Sequence, residues 1–283
     1  MDRQAIILLD NGSRWAEATL SLRKLARSLE DTVGETIYPV SLQHANHIDP
    51  GLVEGWPALI FEAFLRDQLQ YGQRNFLVLP LFFGRSRALT SFIPDVVSGL
   101  QEDFGHFELV LADVLCPLPD GEQRLAQILC DNVETTRDKN KMTESQVILV
   151  DHGSPTREVA AVREKLASQM RDILGPGVSL LEAVMERRPG REYDFTGRLL
   201  EEVLDEFAKS KPGSSVILSM LFLAPGRHAG SSGDISTIRD RVVAENPGLQ
   251  AAITPLVAEH SGLVSILRER LEQALNSLVD NRF

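Results

Sequence analysis

AIILLDNGSR, residues 5–14, returns as QVILVDHGSP, residues 146–155, with five of the ten positions identical. A second match follows at nearly the same offset: LVLPLFF at 77–83 against ILSMLFL at 217–223. Two matches at one spacing mark an internal repeat, and 283 residues leave room for two domains of the usual ~150 residues each. The chain therefore reads as a duplicated and fused unit. Between the copies, TTRDKNKMTES at 135–145 is polar and nearly free of apolar side chains, as a linker is, which puts the expected domains at 1–140 and 141–283.

Within each copy, short apolar runs alternate with longer amphipathic stretches, the pattern of βα units around a parallel sheet. Strands are expected near 4–10, 35–41, 75–82 and 107–113, and again near 146–151, 178–184, 214–222 and 250–254. Apolar residues three and four apart predict helices from Trp15 to Leu29, Pro57 to Gln70, Ile93 to Gln101 and Glu122 to Val133. Their second-copy counterparts run from Glu158 to Ile173, Thr196 to Phe207, Asp234 to Val243 and Leu263 to Leu278. VILV at 147–150 is apolar on both faces, as a strand covered by helices on each side must be. The expected fold is α/β: two similar lobes, each a four-stranded parallel sheet flanked by helices, with ligands bound beyond the carboxyl ends of the strands.

Composition narrows the function classes. Hydrophobic residues at 43% and charged residues at 24% can build an ordinary core. A net charge of -11 disfavours general attraction to nucleic acid or anionic lipid, so an anionic ligand needs a locally basic pocket. Cys116 and Cys130 fit neither a redox motif nor a disulfide framework, no apolar run is long enough to span a membrane, and the start at Asp2-Arg3 is no signal peptide. The expectation is a cytoplasmic protein with reduced thiols. No Walker or GxGxxG signature is present to suggest a nucleotide cofactor.

Three strand-end loops of the second copy carry groups that can do chemistry. His152 follows the strand ending at Asp151, Glu186 follows LLEAVM, and His228 follows LFLAPGR. Each alone has a plain reading, as a loop histidine or a solvated carboxylate. Together they would deliver an N/N/O set to one crevice, suited to a divalent transition metal or to proton removal. In the first copy Asn11 replaces His152, Gln43 replaces Glu186 and Ala88 replaces His228. Amides are poor metal ligands and cannot accept protons comparably near neutral pH, and a purely structural role for the three would not predict such a matched loss. His44 and His47, just past Gln43, could line a cleft but read more simply as loop histidines.

The segments DHGS at 151–154, AVME at 183–186 and LFLAPGRH at 221–228 followed by Asp234-Ile235 resemble the class II chelatases of the CbiX and SirB type, which insert Co(II) or Fe(II) into sirohydrochlorin. The resemblance covers the whole chain, since long members of that family are likewise two fused halves. Two details depart from the family pattern: Met220 stands where proline is usual, and the stretch from His228 to Asp234 is about two residues longer. The resemblance implies catalytic and metal-binding roles for His152, Glu186 and His228, a divalent metal bound as substrate, and no organic cofactor. It also implies sirohydrochlorin as partner and a tetrapyrrole cleft between the lobes; many long members of that family carry the competent set in the N-terminal half, whereas in this chain His152, Glu186 and His228 put it in the C-terminal half. An acidic protein must then gather arginines around a polycarboxylate substrate. Arg85, Arg87, Arg187 and Arg227 are the principal candidates, Arg188 joins them, and Arg14 and Arg157 stand behind. His260, in TPLVAEH, could line the ligand site or pack at a helix start. Two rivals stay open: a carrier of tetrapyrrole or metal that does not turn over, and a phosphate-ester hydrolase with His152 as nucleophile, the latter weakened because Asp151 stands where such enzymes place arginine. Monomer and homodimer are equally compatible with the sequence.

Overall fold

The computed structural model describes residues 4–143 and 145–280; Asp2-Arg3 and Glu144 of the polar stretch lie outside them. The first parallel sheet has the order β3-β2-β1-β4-β5, with β1 Ala5–Asp10, β2 Ile37–Ser41, β3 Leu59–Ile60, β4 Asn75–Pro80 and β5 Glu108–Leu111. The second has the order β7-β6-β8-β9, with β6 Gln146–Asp151, β7 Leu180–Val184, β8 Ser215–Met220 and β9 Gln250–Ile253. All pairs are parallel. The eight expected strands are present. The first sheet gains β3, a two-residue edge strand inside the stretch expected to be helical from Pro57; its helix α2 begins only at Phe61 and runs to Gln70.

The central strands are sealed on both faces. Ile7, Leu8 and Leu9 of β1 and Val147 to Val150 of β6 are essentially without solvent contact. Helices cover them through apolar stripes: α1, Ala16–Val33, buries Ala18, Leu22, Leu25, Ala26 and Leu29, then stops at Gly34, whose left-handed conformation lets its N–H bond the Glu30 carbonyl. In the second sheet α5, Arg157–Leu174, and α6, Leu200–Ser210, play the same part.

By packing, the chain divides into Met1–Pro117 with Leu263–Phe283, and Leu118–Gly262. The repeat boundary near residue 140 is thus not the packing boundary. Helix α4, Gln123–Lys139, which closes the first repeat in sequence, belongs to the second unit; helix α8, Gly262–Asp280, which closes the second repeat, belongs to the first. Arg270 of α8 is buried there and its Nε donates to the Val114 carbonyl at 3.0 Å. The polar stretch at 135–145 is helical as far as Lys139, so Thr135, Thr136, Arg137, Asp138 and Lys139 lie on α4 rather than in an open linker. Neither cysteine forms a disulfide, both are buried, and burial pushes the Cys130 thiol up to about 12. None of the described helices is long and apolar enough to cross a membrane.

Candidate metal centre

The second sheet changes winding direction at β6: the chain leaves it to β7 on one side and returns to β8 on the other. Loops leaving the carboxyl ends of these strands diverge and open a crevice there. His152 is the first residue past β6, Glu186 the second past β7, and His228 stands in the loop between β8 and α7, Asp234–Glu245.

Backbone pairing beyond the strand ends holds the first two in register. Met185 N–H donates to the Asp151 carbonyl at 3.0 Å and Glu186 N–H to the His152 carbonyl at 2.9 Å. Gly153 follows with φ +87°, and a Cβ there would lie 2.0 Å from the Glu186 carbonyl oxygen, so only glycine lets the two loops approach this closely. Beneath the turn, Asp151 Oδ1 accepts from the Gly153 amide at 3.0 Å and from the buried Arg163 guanidinium at 3.1 Å. Arg163 also meets Glu182 at 3.3 Å. Burial raises the Asp151 carboxyl above its ordinary value, while the Arg163 charge pulls the other way.

The three side chains converge. One donor atom from each of His152, Glu186 and His228 lies within 4.8 Å of the others, and no other such group of three occurs among the described residues. The imidazoles of His152 and His228 meet edge to face with centroids 4.9 Å apart. His228 is buried, whereas His152 and Glu186 face solvent, so the cluster is open on one side. His228 Nδ1 is 2.8 Å from Asp234 Oδ2, and its Nε2 is 3.2 Å from Glu186 Oε1. With its proton on Nδ1 the ring donates to Asp234, the arrangement of a carboxylate behind a metal-ligating histidine. Nε2 and Glu186 Oε1 then face each other as two acceptors, a contact that a proton or a cation has to bridge.

The first sheet repeats the scaffold without the donors. Leu42 N–H donates to the Asp10 carbonyl and Gln43 N–H to the Asn11 carbonyl, and a Cβ on Gly12 would lie 1.8 Å from the Gln43 carbonyl oxygen. Asn11 and Gln43 therefore occupy the backbone positions of His152 and Glu186. At the third position the backbone itself differs: Ala88 opens a π-helical turn, Ala88–Phe92, that runs into α3, Ile93–Phe104, where His228 lies in a loop. Leu22 and Pro39 stand at the positions of Arg163 and Glu182, so the buried ion network has gone as well.

Of the arginines, Arg227 joins the cluster: its Nη1 is 3.4 Å from Glu186 Oε1 and its Nε 3.3 Å from Asp234 Oδ2. Arg187 turns to Asp194 at 3.8 Å and to the Gly197 carbonyl at 3.4 Å. Arg85 and Arg87 are exposed in the first unit beyond β4, Arg85 paired with Asp113 at 3.1 Å. Arg14 is exposed beyond β1. His44 and His47 flank a 3-10 turn and stay out of any cluster. His260 takes the plainer of its two readings: its Nδ1 accepts from the Gly262 amide at the start of α8, at 3.1 Å. Sequence reasoning quoted Asp234 without assigning it work and passed over Arg163; the six-residue spacing from His228 to a helix-opening aspartate was the available signal for the first.

Residues 146–274 match the CbiX family model. The matched residues all lie in the second repeat. No curated protein sequence matches the chain. Among solved structures, SirB from Bacillus subtilis with Fe3+ superposes with a TM-score of 0.72 at 15% identity, covering 97% of each chain. The sirohydrochlorin chelatase SirB from Bacillus subtilis subspecies spizizenii, in complex with cobalt, gives 0.67 at 14% identity, over 97% of this chain and 96% of that one. CbiX, described as the terminal enzyme of siroheme biosynthesis in denitrifying bacteria, gives 0.57 at 13% identity over 96% and 99%. At these identities the likeness establishes a shared fold over nearly the full length. All three donors of the cluster lie within the residues that match the CbiX family model.

Proposed function

We propose that the protein is a sirohydrochlorin metal chelatase, inserting Co2+ or Fe2+ into the macrocycle in cobalamin or sirohaem biosynthesis. The observation that carries this reading is the convergence of His152, Glu186 and His228 within 4.8 Å at the open carboxyl edge of the second sheet, within the residues that match the CbiX family model. Insertion requires the ring to give up two pyrrolic protons while the cation exchanges water for ring nitrogens. His152 and His228 hold the incoming metal, which is a substrate here. Glu186 completes the set and accepts protons; its carboxylate, half exposed, can pass them to solvent. Asp234 keeps the His228 Nε2 lone pair turned to the metal.

In this reading the C-terminal lobe of the duplication is the working one and the N-terminal lobe, with Asn11, Gln43 and Ala88, is a degenerate copy. Arg187 and Arg227, in the same unit as the three donors, meet substrate carboxylates. The partners are sirohydrochlorin and a divalent metal ion, without nucleic acid or membrane, in the cytoplasm. The test is anaerobic insertion followed optically, with Co2+ and Fe2+ compared at limiting protein. Wild type should turn over many equivalents, while His152→Ala and His228→Ala should be inactive with unchanged circular dichroism. Wild-type rates in both variants would refute the assignment, and a spectral change that stops at one equivalent would make the protein a carrier.

A further inference from the structure

Arg227 and Arg187 already answer to carboxylates of their own chain, Glu186, Asp234 and Asp194. A cation so paired offers less to an incoming anion than one held in place and unmatched. Two arginines beside the metal cluster are of that second kind, and both rest on aromatic rings.

The loop that follows Glu186, residues 187–197, reads RRPGREYDFTG. It brings Tyr193 and Phe195 together with ring centroids 6.4 Å apart. The Arg157 guanidinium, at the start of α5, sits 4.2 Å from the Phe195 ring centre, and that of Arg188 sits 5.7 Å from the Tyr193 ring centre. Both arginines are exposed, and neither has a carboxylate within ion-pairing distance among the described residues. The loop is tied to the cluster: Thr196, itself buried, donates its hydroxyl to the Ser154 carbonyl at 3.0 Å, two residues past His152. A guanidinium lying on a ring keeps its N–H edge free to take a carboxylate with two parallel hydrogen bonds, and the ring removes rotamer freedom that binding would otherwise have to remove. The degenerate lobe again serves as a control. Its corresponding stretch, 44–60, contains no lysine or arginine, and Ala16 stands at the position of Arg157.

We propose that Arg157 on Phe195 and Arg188 on Tyr193 form a carboxylate-reading platform beside the metal cluster and set its specificity for a polycarboxylate macrocycle, a role that rests on the chelatase reading above. In a chain of net charge -11, unmatched cations held on this loop and at the start of α5 also help to draw in and orient such a ligand.

The experiment measures equilibrium binding of metal-free sirohydrochlorin by its absorbance change, alongside a separate Co2+ titration without tetrapyrrole. Arg157→Ala and Arg188→Ala should each weaken tetrapyrrole binding about tenfold, the loss of one charge-assisted hydrogen-bonded pair, and should raise KM with it. Co2+ affinity should stay within twofold of wild type. Arg157→Lys should recover part of the loss, because it keeps charge but not the planar fork, and Phe195→Leu should weaken binding about threefold by freeing Arg157. Lower ionic strength should widen the gap between wild type and the double variant. A double variant that binds sirohydrochlorin like the wild type overturns the platform and leaves the chelatase reading standing. A wild type that binds Co2+ but no sirohydrochlorin overturns both.

Discussion

Asp10 is the counterpart of Asp151 in a lobe that has lost the arginine beneath it, and replacing it with asparagine should stabilise the protein. Its Oδ1 is sealed from solvent without a hydrogen-bond partner, and Leu22 lies where Arg163 would be. Burial, opposed by the Ser41 side chain and the Gly12 amide, pushes its carboxyl from 3.8 up to about 6. The folded chain therefore holds this proton more tightly than the unfolded chain does. Below the unfolded value of 3.8 the group costs nothing by this route, and the penalty grows as pH rises, reaching its full size above about 6. An elevation of that size corresponds to ~3 kcal/mol, an upper bound because Asp10 keeps some exposure as a whole residue. Asp10→Asn removes the titration while keeping the shape. The gain over wild type should be ~2–3 kcal/mol at pH 8 and shrink to ~1 kcal/mol at pH 4.5, a change that any constant difference between the two side chains does not affect. Urea unfolding followed by tryptophan fluorescence is the assay, since Trp15 and Trp56, the protein's two tryptophans, both lie in the first unit and report on it alone. A gap between variant and wild type that stays flat from pH 4.5 to 8 would refute the reasoning.

Asp234→Ala should weaken Co2+ binding ~10–100-fold by releasing His228 from its tautomer, with Asp234→Asn intermediate; equal affinities in a Co2+ titration would show that the imidazole needs no such partner. Arg163→Leu, which copies Leu22 of the first lobe, should cost ~3 kcal/mol by leaving the Asp151 carboxylate without its cation, while Glu182 keeps Arg171, and adding Asp151→Asn should recover part of it. Far-ultraviolet circular dichroism must follow that unfolding, as the second unit has no tryptophan. Gly153→Ala and Gly12→Ala both drive a Cβ into a facing carbonyl and should both lower the melting temperature, but only Gly153→Ala should abolish Co2+ binding. Loss of metal from both would mean that the first lobe shapes the site as well.

The strands were legible because burial on both faces leaves an unbroken apolar run, and the donors were legible because the repeat supplied its own control: Asp10, Gly12 and Ser13 match Asp151, Gly153 and Ser154, whereas Asn11 and His152 differ. Other features escaped for physical reasons. Strand β3 is two residues long with Leu59 exposed, so it has no alternation to read. The end of α4 is polar because its last turn is mostly surface, which imitates a linker. Arg163 has the spacing of a helix face but the charge of a surface residue, and only the carboxylates it meets, Asp151 and Glu182, explain its burial. Whether an exposed arginine is self-paired, as Arg187 and Arg227 are, depends on loop conformation that no pattern in the chain announces.

Because α4 and α8 have traded places, the two repeats cannot be inherited separately. A stop codon after Gly262 would strip a helix from the first unit and leave every element around His152, Glu186 and His228 encoded. A gene trimmed to begin at Gln146 would discard α4 and unroof the very sheet it was meant to preserve. Such an arrangement makes the first copy hard to delete, and it offers a physical reason for both halves to persist together.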